Sequence, residues 1–291
     1  MMREALLYDK LDNQAVKCRV CNLRCTIKEG GRGICGVREN QKGTLYALNY
    51  GKTIASGIDP IEKKPLYRFM PNALAYSLAT AGCNMRCPWC QNWRISQSPR
   101  MEGTIEGKDV SPNHHVDLAL KHNCAAIAYT YSEPTIFLEY AYDIMKEAKR
   151  RGLKNLWVSN GNMTDETLDL ILPHIDAANI DYKGPYEEVY EHYCNGHAKD
   201  IMHSMVRIRE AGVHLEVTTL VIPGVNDQDH QLKAIADEIA ENLGSDTPWH
   251  ISRFFPAWKM KDTPITPIET LKKAQMYGEK AGIEHIYLGN V

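Results

Sequence analysis

Short apolar runs alternate with longer stretches of helical apolar spacing from about Leu74 to the end of the chain. The runs predict six β-strands, with the sequences ALAYSLAT, CAAIAYTYS, NLWVSNG, AANIDYKG, HLEVTTLVIP and WHISRFFP. The stretches between them predict amphipathic helices, for example TIFLEYAYDIMKEAKRRG, HSMVRIREAG and DHQLKAIADEIAENLG. Strand–helix alternation is typical of parallel sheets with right-handed crossovers. The pattern therefore predicts an α/β fold, a partial (β/α)6 TIM-type barrel that the run EHIYLGN can extend.

The N-terminal region follows a different pattern. It is turn-rich and contains cysteines, and the run EGGRG interrupts any long element. A segment this short buries little apolar surface, so we expect bound metal to hold it together. The sequence thus predicts a small cysteine-rich metal-binding module at residues 1–70 and a partial barrel at residues 71–291.

Polar residues, together with glycine or proline, follow the predicted strands at the point where each strand ends. In (β/α) barrels the active site lies at the carboxyl ends of the strands. The strands run into the segments TAGCNMRCPWC, YSEPT, SNGN, DYKG and IPGVND. Strand-to-helix loops favour such residues in any case, but five on one face indicate a functional site there.

Composition limits the classes of partner. The chain has 291 residues, 44% of them apolar, and a formal net charge of -2, which argues against broad electrostatic binding to nucleic acid or membrane. No apolar run approaches the roughly 18 residues of a membrane span, and the N-terminus lacks the apolar core of a signal peptide. We expect a cytoplasmic protein, in which clustered cysteines bind metal rather than form disulfides.

One cysteine group lies directly after the first barrel strand. Cys83, Cys87 and Cys90 have C-x3-C-x2-C spacing. A structural zinc site normally has four ligands, so three thiolates form one only with a distant fourth ligand. A [4Fe–4S] cluster on three thiolates instead has one iron open to a further molecule. Spacing favours the cluster and leaves the zinc site as the alternative.

A second group lies in the N-terminal module. Cys18, Cys21, Cys25 and Cys35 have C-x2-C-x3-C-x9-C spacing. Four thiolates can close a zinc site, which would stabilise the module, or a second iron–sulfur cluster, which would relay electrons. Spacing alone leaves zinc and the second cluster open.

No function is assigned to four further cysteine and histidine residues. Cys124 and Cys194 stand alone in the sequence, and we interpret them as small core residues. His114 and His115 lie in a polar stretch at the start of a predicted helix, without an evident third ligand. We therefore expect this histidine pair to be solvated.

The cysteine loop resembles that of the radical S-adenosylmethionine (SAM) superfamily. The likeness rests on the spacing, the preceding strand, the aromatic Trp89 before the last cysteine and the later strand ends. It implies an enzyme in which the open iron binds the amino and carboxylate groups of SAM. The cluster then cleaves SAM reductively to methionine and a 5′-deoxyadenosyl radical, which abstracts hydrogen. The protein orients the cofactor and excludes water.

The same resemblance implies the cofactor-binding residues. Glu133 of SEP would meet the amino group of SAM, Ser159 and Asn160 resemble a Thr-Asn-Gly strand end, and Asp181 with Lys183 would lie near the carboxylate. Trp89 would lie near the adenine. From the residues alone, Glu133 can equally cap a helix, Asn160 can belong to an ordinary turn, and the Asp–Lys pair can be structural.

Within the superfamily, the chain resembles two groups of proteins. One is the radical SAM component of the AMMECR1–Memo–radical SAM group, through CxxCxxxCxIxxGxxGxCGVRxN and SRFFPAWKM. The other is the pyruvate formate-lyase activating enzyme, chiefly over the barrel; its cation-binding Asp is replaced here by Val158. The resemblance implies SAM, an electron donor such as flavodoxin or ferredoxin, and a small-molecule or protein substrate as partners. The alternatives are a glycyl-radical-enzyme activase and, from another class, a non-catalytic electron-transfer protein.

Overall fold

The computed structural model describes residues 2–291, whose N-terminal part forms two small antiparallel sheets. The strands are β1 (Arg3–Glu4), β2 (Tyr8–Lys10), β3 (Val16–Cys18), β4 (Thr26–Ile27), β5 (Arg38–Gln41) and β6 (Thr44–Ala47). Strands β1, β6 and β5 form one sheet, and β2, β3 and β4 form the other. Such short strands bury too little apolar surface to be stable alone. Both sheets therefore depend on contacts with the rest of the chain.

A nine-stranded sheet forms the larger part of the fold. Its strands are β7 (Lys52–Pro60), β8 (Leu74–Thr80), β9 (Lys108–Asp109), β10 (Ala126–Tyr129), β11 (Lys154–Ser159), β12 (Ala177–Asp181), β13 (His214–Val221), β14 (Trp249–Arg253) and β15 (Ile286–Gly289). The order across the sheet is β15–β14–β13–β12–β11–β10–β8–β7–β9. Strand β8 and strands β10 to β15 are parallel, and at one edge β7 pairs antiparallel with both β8 and β9. The mostly parallel sheet confirms the predicted α/β fold, which is consistent with a partial barrel.

Helices connect the parallel strands. They are α1 (Trp93–Ser96), α2 (Ser98–Met101), α3 (Pro112–Lys121), α4 (Leu138–Arg150), α5 (Asp165–Ile171), α6 (Glu187–Val189), α7 (Ala198–Glu210), α8 (Asp229–Leu243) and α9 (Ile268–Ala281). Helix α4 buries Tyr140, Ile144 and Ala148 at helical spacing, as the pattern predicted. No helix among residues 2–291 is both long and apolar enough to cross a membrane.

The prediction that the histidine pair at the start of α3 is solvated is wrong for one of its members. His114 is exposed, but His115 is only 1% exposed. His115 lies on the face of α3 that also buries Val116 and Ala119. The prediction considered only the polar neighbours of His115 in the sequence. The burial of a helical residue depends instead on its position around the helix.

Ion pairs join the N-terminal sheets to the helices of the barrel. Arg38 of β5 and Glu139 of α4 are both buried and 2.7 Å apart. Arg24 and Glu166 form a more exposed pair at 3.0 Å. Strand β7 lies before the predicted boundary at residue 70 yet pairs with β8 in the large sheet. The boundary itself stays a prediction.

The connection between β7 and β8 extends to strands β12 and β13, in the other half of the large sheet. The backbone N–H groups of Tyr67 and Arg68 donate to the Glu216 carboxylate of β13, at 3.0 and 2.7 Å. The Asn179 side chain of β12 donates to the Pro65 carbonyl at 2.8 Å. Pro65 also lines the cavity described next, so this connection forms one of its walls.

Candidate active site

The carboxyl ends of the parallel strands surround a cavity of about 410 Å³. Small-molecule sites usually measure about 300–1,000 Å³. The four N-terminal cysteines line a second, separate cavity. The first cavity brings together every residue predicted for the three-cysteine loop and the cofactor site: Cys83, Cys87, Trp89, Cys90, Glu133, Ser159, Asn160, Asp181 and Lys183.

Backbone geometry holds the start of the cysteine loop after β8. Gly82 has a φ of +110°, and an ideal Cβ there would lie 2.9 Å from Val37 Cγ1, so this position requires glycine. The Sγ of Cys83 accepts a hydrogen bond from the Met85 backbone N–H at 3.3 Å. The Arg100 guanidinium donates to the carbonyl oxygen of Cys83 at 2.8 Å and to that of Met85. These bonds fix the direction of the first thiol.

The three loop thiols have different electrostatic surroundings. Burial raises the pKa of the Cys83 and Cys90 thiols. A hydrogen bond from the Cys194 thiol lowers the pKa of Cys87, and nearby Lys183 acts in the same direction. The thiolate is the form of cysteine that binds metal, so the surroundings of Cys87 favour metal binding. Cys194, predicted as a core residue, is buried. A π-helical turn also brings its thiol to the loop, and no sequence signal indicates this contact.

The Glu133 carboxylate lies between two strand ends. Its Oε1 accepts hydrogen bonds from the N–H and the hydroxyl of Thr135, at 3.0 and 2.7 Å, and from the Ser159 hydroxyl at 2.7 Å. Its Oε2 accepts one from the Asn160 N–H at 2.8 Å. Burial raises the pKa of Glu133, although these hydrogen bonds act against the rise. A carboxylate has about four acceptor positions, two on each oxygen, so Oε2 can accept one further donor.

The Asn160 side chain joins the third strand end to the cysteine loop. Its Nδ2 donates to Asn84 Oδ1 at 2.8 Å and lies 3.7 Å from Cys83 Sγ. Its Oδ1 accepts a hydrogen bond from the Asn162 N–H at 2.9 Å. The amide is therefore fully oriented before any ligand binds.

Asp181 and Lys183 form an ion pair at the end of β12, with 2.7 Å between Oδ2 and Nζ. The Lys183 side chain is 1% exposed, whereas that of Asp181 is 43% exposed. Burial acts against the charge of Lys183, but Asp181 and Cys87 outweigh it and raise the lysine pKa. The Oδ1 of Asp181 has no hydrogen-bond partner, so a donor in the cavity can bind there.

Trp89 packs inside the cysteine loop. Its side chain is buried, and its ring centroid lies 5.5 Å from that of Tyr193. The C-terminal segment SRFFPAWKM passes over the same loop, where the Lys259 N–H donates to the Pro88 carbonyl at 3.0 Å. The loop is thus covered on one side and faces the cavity on the other.

The second cavity brings the four N-terminal cysteines together with the guanidinium of Arg38. Burial raises the pKa of Cys18 to about 11 and raises those of Cys21 and Cys35. The charge of Arg38 opposes this rise at Cys18 and Cys35. Four converging thiols are the ligand set of a closed zinc or iron–sulfur site, and metal binding would stabilise their thiolates. The residues that line this cavity are Cys18, Val20, Cys21, Leu23, Cys25, Ile27, Gly33, Cys35, Arg38, Asn84 and Ile136.

Comparison with known proteins relates both the sequence and the fold to one superfamily. A sequence profile of the radical SAM superfamily matches residues 77–234. The chain is 43% identical over 290 residues to an uncharacterized protein of Methanocaldococcus jannaschii, covering 100% of this chain and 86% of that protein. A second protein of that organism, provisionally named a glycyl-radical enzyme activating enzyme, is 24% identical over 181 residues, 60% of this chain and 70% of its own.

A solved structure has a similar fold. It is a radical SAM methyltransferase from Sphaerobacter thermophilus, with a TM-score of 0.57 and 13% identity, covering 76% of this chain and 67% of that one. The profile match spans more than half of the chain and includes the cysteine loop after β8 and the strand ends that carry Glu133, Asn160 and Lys183. The chain therefore belongs to the radical SAM superfamily.

Proposed function

We propose that this protein is an enzyme that cleaves SAM reductively at a [4Fe–4S] cluster held by Cys83, Cys87 and Cys90. The observation that carries the proposal is the strand-end cavity in which this three-thiol loop faces Glu133 and the ion pair of Lys183. Three thiolates leave one iron of the cluster open to SAM. When bound, cluster and cofactor supply one-electron cleavage and the hydrogen abstraction that follows.

The lining residues can bind and orient an amino-acid moiety. The remaining acceptor position of Glu133 Oε2 suits an ammonium group, and the Lys183 cation suits a carboxylate, which Asp181 helps to position. Asn160 holds Glu133 and the cysteine loop in register through its backbone and side chain. Trp89 borders the cavity, where its indole can contact the adenine.

The substrate is a small molecule or a residue of a partner protein. A glycyl-radical-enzyme activase is the second candidate, favoured by the 24% identical relative with that provisional name. Resemblance of the N-terminal cysteine motif and of SRFFPAWKM favours the AMMECR1–Memo–radical SAM group. An electron-transfer protein is the candidate of another class, but it has no need for a cavity of small-molecule size.

Two further assignments complete the proposal. Cys18, Cys21, Cys25 and Cys35 bind a second metal centre, zinc or iron–sulfur. A low-potential protein such as flavodoxin or ferredoxin delivers electrons in the cytoplasm, whose reducing conditions keep clustered cysteines as thiols.

The test is anaerobic reconstitution with iron and sulfide, followed by dithionite, SAM and an assay for 5′-deoxyadenosine. Wild-type protein should form 5′-deoxyadenosine, and the Cys83→Ala/Cys87→Ala/Cys90→Ala variant should form none, because the open iron is lost. Cys124→Ala, which removes an isolated buried thiol, is the matched control and should retain formation. Equal formation by the triple variant and wild type would refute the proposal.

A further inference from the structure

Adjacent residues of one segment line the two cysteine cavities and form a wall between them. Cys83 lines the strand-end cavity, and its neighbour Asn84 lines the four-cysteine cavity. On the other side of Cys83, an ideal Cβ at Gly82 would lie 3.3 Å from the carbonyl oxygen of Cys35. Consecutive Cα atoms are only about 3.8 Å apart. The backbone of this short segment thus separates a thiol of one set from the backbone of the other.

A hydrogen-bond chain also joins the two sets. From Cys83 Sγ it runs 3.7 Å to Asn160 Nδ2, and Asn160 Oδ1 accepts from the Asn162 N–H at 2.9 Å. The Asn162 Oδ1 in turn accepts from the N–H of Asn22, at 3.0 Å, and Asn22 directly follows Cys21 in the chain. The first thiol of the barrel loop is thereby connected to the cysteine loop of the N-terminal module.

Two buried guanidinium N–H donors beside the four cysteines have no hydrogen-bond partner. They are the Nε groups of Arg38, which lines the four-cysteine cavity, and of Arg100. Arg100 lies close to both cysteine sets: an ideal Cβ at Gly36, next to Cys35, would lie 3.2 Å from its backbone nitrogen, and its Nη2 donates to the carbonyl oxygen of Cys83 at 2.8 Å. An iron–sulfur cluster presents inorganic sulfides as well as thiolates to such donors, and hydrogen bonds to these sulfurs set its potential.

We infer that Cys18, Cys21, Cys25 and Cys35 hold a redox-active iron–sulfur cluster that passes electrons to the catalytic cluster across this wall. The inference rests on the proposed function for the receiving cluster. One electron from a low-potential donor protein reduces the N-terminal cluster, which returns to its oxidised state when that electron moves to the catalytic cluster. The same electron is then consumed in cleaving the sulfonium of one SAM.

The test compares three reconstituted full-length proteins after reduction: wild type, Cys83→Ala/Cys87→Ala/Cys90→Ala and Cys18→Ala/Cys21→Ala. The first variant should keep about four irons and the EPR signal of a reduced cluster. Doubly reduced wild type should show magnetic broadening that neither variant shows, because two paramagnetic clusters lie close together. Zinc in place of iron in the first variant, or two signals without interaction in wild type, would overturn the inference.

A measurement on a milder variant guards against misfolding. Arg38→Lys keeps the positive charge next to Glu139 but removes the unpartnered Nε donor. It should lower the midpoint potential of the N-terminal signal and leave that of the catalytic signal unchanged. No shift, or an equal shift of both signals, would contradict the inference. Absence of 5′-deoxyadenosine from wild type that holds both clusters would refute the proposed function and the final use of the electron, whereas the EPR spectra would still identify the N-terminal cluster and its interaction with the second one.

Discussion

Single residues of the cavity have structural roles and also present polar groups to the cavity. Glu133 caps the short 3-10 helix Pro134–Phe137, which is the structural role that its sequence position allowed. It also borders the cavity, and one acceptor position on Oε2 stays free of the hydrogen bonds that hold the carboxylate. Asp181 and Lys183 likewise form the ion pair that their spacing allowed, in a place where the lysine can meet an anion. For these residues, a structural role therefore does not exclude contact with a ligand.

Lys183→Met should weaken SAM binding. The substitution removes the cation and keeps most of the buried side-chain volume. A charge-assisted hydrogen bond contributes on the order of 1.5–3 kcal/mol, so we expect affinity to fall about ten- to a hundredfold. Calorimetric titration of the anaerobic, cluster-loaded protein measures this, with iron content determined on the same samples.

Lys154→Met is the matched control for that change. Lys154 begins β11 at the opposite end of the barrel, and its Nζ pairs with Asp176 at 2.8 Å. It should alter neither SAM affinity nor iron content. Loss of iron from Lys183→Met alone would give the lysine a role in holding the cluster, and unchanged affinity with intact iron would exclude it from the cofactor site.

At the scale of elements, one histidine connects four of them. His115 of α3 contacts Thr53 of β7 at 3.0 Å and Tyr140 of α4 at 2.7 Å through Nε2. Its Nδ1 lies 3.0 Å from the Tyr76 hydroxyl of β8. Burial lowers the pKa of His115 to about 4, so the ring is neutral at pH 7. The antiparallel edge of the sheet is thus attached to its helices by a group that must stay uncharged.

The stability of the fold should therefore depend on pH through His115. Its pKa is about 4 in the folded protein against 6.5 as the reference for the unfolded chain. Between these values the unfolded chain binds a proton that the folded protein does not, so stability is lost as the pH falls through this window. The loss reaches about 3 kcal/mol when the window is crossed fully. Urea unfolding of wild type and His115→Gln at several pH values measures it.

The comparison isolates the contribution of this one residue. Because glutamine does not titrate, the stability advantage of wild type over His115→Gln should shrink as the pH falls toward 5. The exposed neighbour His114, replaced in the same way, should show no such dependence. A wild-type advantage that stays constant over this range would contradict the buried, neutral state of His115.

At the scale of the whole molecule, the N-terminal module and the barrel form one body through ion pairs of unequal burial. The Arg38–Glu139 pair is almost fully enclosed, and Glu139 Oε1 also accepts the Leu6 N–H at 3.0 Å. The side chains of Arg24 and Glu166 are 35% and 29% exposed. Breaking a buried pair leaves a desolvated charge, whereas an exposed charge regains water.

Glu139→Gln should lower the free energy of unfolding by about 3–5 kcal/mol, because Arg38 stays buried and loses its counter-charge. Glu166→Gln, which loses the more exposed pairs of Glu166 with Arg19 and Arg24, should cost about 1 kcal/mol or less. Anaerobic urea unfolding of the metal-loaded proteins, followed by tryptophan fluorescence, measures both. Equal losses would show that burial does not distinguish the two contacts.

The sequence by itself determined the fold class, the two cysteine sets and the residues at the strand ends. Strand and helix periodicities are local, and polar residues after apolar runs mark the carboxyl edge of a parallel sheet. For that reason the sequence alone predicts that Cys83, Glu133, Asn160 and Lys183 lie close together, and all four line one cavity. Family resemblance added their expected roles, which periodicity alone cannot supply.

Only the tertiary structure decided which of these groups touch. Three of these contacts bring together residues that are distant in the chain. Cys194 approaches Cys87, His115 is enclosed by other elements, and only a thin wall lies between Cys35 and Cys83. Such contacts depend on how helices and loops pack over the sheet, and hydrophobic burial that drives packing is not directional. Sequence patterns indicate which surfaces are buried. Which polar groups come into contact there depends on the geometry of the packed chain.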